Sequence, residues 1–270
     1  MTPSPENRAV ESLLAFWRDA GVEDCFEDAP QDRLTEGARR LRASAPPPAS
    51  PLRAEAPSSL AADLAEAVMA AREAALAASD LDSLKAAVEA FQGSVLRTTG
   101  ARQTVFARGR PDAEVVIIGE APGTEEDSRG EPFVGRAGRL LDRALAAAGL
   151  TERVFITNTV FWRPPGDRNP SAQEQGVCEP FLDRTISLIR PKVLLLLGAA
   201  SSKSVLKQEG GILSIRGRWF ERVSDDGTLK TPALPTLHPA FLLRQPQAKR
   251  LFWQDLLALG TRLEAPEPPE

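Results

Sequence analysis

Apolar residues after Gly109 come in short runs separated by longer amphipathic stretches. Glu114–Gly119, Val154–Asn158, Lys192–Gly198 and Ala233–Leu237 are short, rich in Val, Ile and Leu, and predict buried strands, with Ile212–Phe220 a further run of the same kind. Between them, Gly138–Ala148, Ala172–Ile189, Ala199–Lys207 and Gln247–Leu259 carry helical spacing. Such alternation predicts a mainly parallel sheet covered on both faces, with ligands beyond the carboxyl ends of its strands. Upstream, the Ala-rich stretch 61–78 has high helix propensity, and Ser79-Asp80 stands as a cap before a second helix over Leu81–Phe91. In residues 6–19, Val10, Leu13, Leu14 and Trp17 recur at helical spacing, predicting a short amphipathic helix that ends near Gly21.

Composition divides the chain further. Residues 43–59 are dominated by Ala, Pro and Ser, too poor in apolar surface to order themselves, and read as a semi-extended linker. The expected organisation is therefore a helical segment 1–42, the linker 43–59, a folded domain 60–262 and an acidic, disordered tail 263–270. The formal charge is −4, but residues 1–99 hold 10 Lys and Arg against 16 Asp and Glu, whereas residues 100–262 hold 23 against 18. A modestly basic core suits a protein that visits nucleic acid transiently better than one that coats it. No apolar run is long enough to span a membrane, and the start lacks the layout of a signal peptide, so a soluble, cytoplasmic protein is expected. The two cysteines, Cys25 and Cys178, lie far apart and make a structural disulfide improbable in a reducing compartment.

Polar and glycine-rich segments fall at three predicted strand ends. Gly119-Glu120-Ala121-Pro122-Gly123 is a sharp turn with exposed N–H groups, open to reading as a plain turn or a phosphate site, although no Gly-Lys-Ser/Thr follows as in a P-loop. Beyond it, Glu120, Glu125, Glu126 and Asp127 stand near Phe133-Val134; acids beside an aromatic suit a pocket for a planar ring, and equally a solvated acidic loop. His238 is the chain's single histidine, placed at a strand end on the rim shared by Glu120 and Asn158, where catalysis competes with a purely structural role. Arg163-Pro164-Pro165-Gly166-Asp167-Arg168 and Arg216-Gly217-Arg218 offer cations for phosphates. Leu242-Leu243-Arg244 could wedge a base stack and hold a phosphate, or simply pack.

Taken in order, Gly119-Glu120-Ala121-Pro122-Gly123 with Glu126-Asp127, Pro132-Phe133-Val134-Gly135-Arg136-Ala137-Gly138, Ile156-Thr157-Asn158, Arg163-Pro164-Pro165-Gly166 and Leu237-His238-Pro239-Ala240-Phe241-Leu242-Leu243-Arg244 resemble the family-4 uracil-DNA glycosylases of bacteria and archaea. The resemblance covers Glu89 to Leu259 and implies a three-layer αβα fold around a central, mainly parallel four-stranded sheet. It implies a monomer acting in base excision repair on DNA containing uracil, releasing the flipped-out base hydrolytically; no lysine lies in the motifs, so β-elimination is not expected. By the family pattern Glu120, His238 and Glu126 would be catalytic, Gly119, Ala121, Phe133 and Asn158 would bind uracil, and Arg163, Arg168, Arg216, Leu243 and Arg244 would contact DNA. The alternative is a catalytically weak DNA-damage-binding module on the same fold. The front helix would dock on a repair or replication partner or pack on the core.

One departure is large. Members of this family usually hold a [4Fe–4S] cluster on four cysteines, and here those positions fall on Phe91, Ser94, Trp162 and Cys178. A single thiol is left, so no metal and no cofactor are expected, with Phe91 and Trp162 filling the space by apolar packing.

Overall fold

The computed structural model describes residues 59–224 and 227–265. The amphipathic segment 6–19, all of the linker but Ser59, and residues 266–270 of the tail lie outside the described residues.

Two helices lead in, α1 (Ser59–Ala77) and α2 (Leu81–Ala90), followed by one turn, α3 (Val95–Thr98). The break between α1 and α2 is set by Asp80, whose carboxylate accepts the Ser83 N–H at 2.8 Å while the Ser83 hydroxyl accepts the Asp80 N–H at 3.1 Å. This reciprocal cap satisfies two donors that a helix start otherwise leaves unpaired. Leu84 and Val88, four residues apart, form the buried stripe of α2.

The body follows as β1 (Ala107–Gly109), β2 (Val115–Gly119), α4 (Thr124–Arg129), α5 (Arg136–Ala147), β3 (Val154–Asn158), α6 (Ala172–Ile189), β4 (Val193–Leu197), α7 (Ala199–Leu206), α8 (Ile212–Ile215), β5 (Phe220–Val223), β6 (Lys230–Thr236), α9 (Pro239–Arg244) and α10 (Lys249–Glu264). Strand order across the sheet is β1-β3-β2-β4-β6-β5. Its centre, β3-β2-β4-β6, is the expected parallel set of four, and antiparallel β1 and β5 extend it to six at the two edges. Neither edge strand carries the apolar run of a central strand. β1 reads Ala-Arg-Gly, and β5 lies beyond the run 212–220, which divides into the turn of α8 and only the first residue of β5. The last helix continues to Glu264, past the expected start of the tail, because Leu263 is buried against the core.

Side chains alternate across the sheet and build two cores. Val115, Ile117, Val154, Ile156, Leu195 and Leu197 face one side, joined by Leu141 and Leu145 of α5 and Phe252, Leu256 and Leu259 of α10. Val116, Ile118, Phe155, Leu194 and Leu196 face the other, with Val177, Phe181 and Ile186 of α6 and the lead-in residues Ala71, Leu84 and Val88. Burying each such side chain contributes about 1.5–3 kcal/mol. The three-layer αβα arrangement follows from that alternation, and the lead-in helices belong to one outer layer.

Candidate active site

Parallel strands deliver their carboxyl ends to one rim. β2 ends at Gly119, in register with Asn158 at the end of β3, and β6 leads through Leu237 into His238. A side chain added at Gly119 would overlap both the Phe133 ring and the Asn158 amide oxygen, so glycine here is what lets those two groups approach the strand end. The Phe133 and His238 rings lie 5.7 Å apart at 34°. Gly198, following β4 with φ of 92°, leaves room for the His238 Cβ, which would sit 3.1 Å from a methyl at that position. Gly119, Phe133, Asn158 and His238 are therefore gathered at one place.

The polar groups there are unusual in lacking protein partners. Asn158 is 1% exposed, yet neither its amide oxygen nor its amide nitrogen makes a hydrogen bond, and one carboxylate oxygen of Glu120 is buried in the same condition. Leaving such groups unpaired costs about 1–3 kcal/mol each, a cost the fold bears where a ligand supplies the missing partners. Glu120 is pushed above the usual carboxylate range by desolvation.

His238 is positioned by its own backbone. It caps α9, and its Nδ1 accepts the Ala240 N–H at 3.1 Å. Accepting at Nδ1 puts the neutral ring's proton on Nε2, which becomes a donor. Burial, and then the positive charge of Arg244, lowers the imidazole to about 4, so the ring is neutral at pH 7.

Phe133 holds a left-handed backbone, φ 56°, which costs a bulky residue on the order of 1–3 kcal/mol. The surroundings impose it. Gly138 has no side chain to strike the Phe133 carbonyl, and the Glu126 carboxylate accepts the N–H groups of Gly123 at 3.1 Å and Gly135 at 2.9 Å. Both Glu126 oxygens are thereby committed to backbone, so Glu126 joins the two loops, whereas Glu120 carries the unpartnered carboxylate. Two polar supports escaped sequence reasoning. The Thr159 hydroxyl donates to the Glu120 carbonyl at 2.7 Å and is itself approached by Gln175 at 3.3 Å; buried Asp127 accepts the Arg102 N–H at 2.8 Å. Thr159 was detectable only as a hydroxyl following Asn158, and Asp127 looked like one more solvated acid.

The expected cations separate into kinds. Arg244 is exposed next to half-buried Leu243, and among the described residues it makes no ion pair; Leu242, by contrast, belongs to the core. Arg163 pairs with Asp167 at 2.6 Å, which raises the guanidinium and lowers the carboxyl, and Arg168 grips Glu174 through two nitrogens at 2.8 and 2.6 Å. Arg216 is not brought to the rim surface. Its guanidinium is bound by buried Asp255 and the Leu251 carbonyl, and Asp255 also accepts the Thr236 hydroxyl at 2.5 Å, so Arg216 braces the strand that carries His238.

Phe91, Ser94, Trp162 and Cys178 are all buried, and Phe91, Trp162 and Cys178 share the core on one side of the sheet. Phe91 meets Phe181 edge-on at 5.2 Å, Phe181 meets Phe161 at 6.4 Å, and Phe161 meets Trp162 at 6.2 Å, while the Trp162 indole N–H donates to the Thr104 hydroxyl at 3.1 Å. Cys178 is the one thiol among these four residues, fully buried and pushed up to about 12 by desolvation. These residues do not fit a four-thiolate cluster: rings occupy the space and a single thiol cannot ligate four irons. Among the described residues no group of three or more His, Cys, Asp or Glu is placed to hold a metal ion.

Fold and rim together define a doubly covered, mainly parallel sheet that gathers an aromatic ring, an imidazole and buried unpaired polar groups at its strand ends, the place where ligands of such sheets bind. A family profile described as "Uracil DNA glycosylase superfamily" matches residues 106–257, more than half of the chain. The chain is 39% identical over 157 residues to a type-4 uracil-DNA glycosylase of Sulfurisphaera tokodaii, spanning 56% of this chain and 70% of that one. It is 38% identical to type-4 uracil-DNA glycosylases of Archaeoglobus fulgidus and Thermotoga maritima, with 56% of this chain aligned to 78% and 79% of theirs. The chain belongs to the uracil-DNA glycosylase superfamily.

Proposed function

We propose that the protein is a monofunctional uracil-DNA glycosylase, acting as a monomer to hydrolyse the bond between uracil and deoxyribose in DNA. The observation that carries this reading is the Asn158 amide, buried without a partner beside Phe133 and near an unpaired Glu120 oxygen. Uracil presents one donor and one acceptor along its N3/O4 edge, and a primary amide offers the complement; cytosine reverses the pattern. Phe133 stacks on the flipped ring, Asn158 reads its edge, and backbone groups of Gly119 to Ala121 hold the remaining side. As the C1′–N1 bond breaks, its electron pair passes to the uracil ring. The N–H of His238 donates to the oxygen that gathers this charge, a preorganised contact worth roughly 3–4 kcal/mol. The ionised Glu120 faces the developing sugar cation, and water adds at C1′ while its proton leaves to the carboxylate. Free uracil and an abasic site result. Leu243 and Arg244 engage the strand beside the vacated stack, Arg163 and Arg168 add phosphate contacts from N–H groups left over by their carboxylate partners, and Arg216 is omitted because Asp255 holds it. In the cell such an enzyme works in the cytoplasm.

Incubating the wild type with uracil-containing single- and double-stranded oligonucleotides, then treating with alkali, tests the reading. Strand breaks at uracil are expected, with His238→Ala slower by about 100-fold or more. Binding without any breaks on either substrate would leave a DNA-damage-binding module in its place.

A further inference from the structure

Arg108 lies at the middle of the half-buried edge strand β1, opposite Ile156, where a cation could simply guard the sheet edge. Its guanidinium turns instead to the turn that carries Phe133. Nε donates to the Pro132 carbonyl at 2.8 Å, and Nη2 donates to the Phe133 carbonyl at 3.4 Å and to the Asp142 carboxylate at 2.6 Å. The two carbonyls belong to the peptide planes on either side of the Phe133 Cα. One planar, rigid fork that holds both planes fixes φ and ψ of that residue together, and with them the direction in which its ring leaves the backbone.

We propose that Arg108, oriented by Asp142, is a positioning residue for base binding: it locks Phe133 in its left-handed conformation so that the ring stands ready beside Asn158 and His238. This rests on the reading of Phe133 as the surface on which the flipped base stacks. Arg108 does not touch the base. It removes the freedom the Phe133 turn would otherwise have before the base arrives, so its effect falls on base affinity more than on bond cleavage. Lysine at this position offers a point charge on a single nitrogen, and cannot span two carbonyls and a carboxylate in one plane. The Arg108 and Asp142 side chains are 26% and 48% exposed, and an ion pair of that exposure adds little to global stability, so the clamp can be removed without unfolding the chain.

The experiment compares wild type, Arg108→Ala, Arg108→Lys and Asp142→Asn by two readouts. Hydrogen exchange followed in peptides spanning residues 130–138 reports the clamp without reference to activity; Arg108→Ala and Arg108→Lys are expected to exchange there about ten-fold faster, with α6 and α10 unchanged. In steady-state excision of uracil from a single strand, KM and the inhibition constant of free uracil are expected to rise about ten-fold in both Arg108 variants and less in Asp142→Asn, with kcat within about three-fold of wild type. On a Phe133→Ala background the Arg108→Ala effect on uracil inhibition vanishes, because the two residues act through one platform. Unchanged exchange in 130–138, or a fall in melting temperature and kcat with the uracil inhibition constant untouched, overturns the proposal. Should Arg108→Ala fail to fold, Arg108→Lys and Asp142→Asn carry the same readouts. A wild type that releases no uracil sinks the glycosylase reading, while the exchange result still decides the clamp.

Discussion

Two ionisable residues on the rim have been moved in opposite directions by the same cause, removal from water. His238 is lowered to about 4, so its protonation state does not change across the range where an ordinary histidine titrates. The unfolded chain takes up this proton near 6.5 and the folded one near 4, so the folded state's advantage is complete above 6.5 and is lost as pH falls toward 4. On the order of 3 kcal/mol is at stake over that interval. Urea unfolding of wild type and His238→Gln at pH 7 and pH 4.5 is expected to show a smaller loss on acidification in the variant; equal losses would mean the imidazole titrates normally. Glu120, raised by burial, takes up a proton at a higher pH than an exposed glutamate, whose value is about 4.3. If the ionised carboxylate faces the sugar cation, kcat/KM declines on the acid side above that value. The decline disappears in Glu120→Gln, at a much lower plateau, whereas the His238 variants retain it.

Elements act on the site through their ends. Because β2, β3 and β6 run in parallel, three short segments distant in sequence meet on one rim, and β6 is held from behind by a polar group. For β6 that group is the Arg216–Asp255–Thr236 network beneath His238. Asp255 is 2% exposed, and burial raises its carboxyl despite the guanidinium alongside. Removing the partner of a buried charge costs about 3–5 kcal/mol. Arg216→Ala is accordingly expected to lose stability of that order in urea titrations, with the salt dependence of DNA binding unchanged. A DNA-contacting arginine would give the reverse, a flatter salt slope at full stability. Arg244→Ala is expected to behave in that second way, since the side chain is exposed and no ion pair holds it among the described residues.

At the scale of the whole molecule, the change from the usual family pattern lies in the core. Rings of Phe91, Phe161, Trp162 and Phe181 join the lead-in helix to α6 by edge-to-face contacts. Apolar packing stands at the positions where the family pattern would place cluster cysteines, and that packing itself calls for no thiolate ligand. Trp162→Ala, which opens a large cavity and strands the Thr104 hydroxyl, is expected to cost about 3–5 kcal/mol by chemical denaturation. Iron and acid-labile sulphide assays on purified protein are expected to read far below four irons per chain. Stoichiometric iron would mean that this packing rearranges around a cluster.

The periodic features of the chain are legible without coordinates. Central strands β2 and β4 stand where uninterrupted apolar runs require burial on two faces, β3 follows the shorter run Val154–Ile156, and α6 spans the stretch its helical spacing marks, because burial on a known period is a property of the sequence itself. The grouping of Gly119, Glu120, Phe133, Asn158 and His238 was legible through family motifs and strand-end placement. What remained for the tertiary structure was the choice among equivalent charges. Glu126 and Glu120 look alike in sequence, yet one is spent on two backbone N–H groups while the other keeps an unpaired oxygen. Arg216 and Arg244 look equally suited to phosphate, and Asp255, 39 residues from Arg216, decides between them. Edge strand β1 and the Arg108 clamp left no periodic signal at all, since they depend on partners 24 to 50 positions away. Apolar periodicity is written locally, whereas the partner of a charge is decided only when distant segments meet.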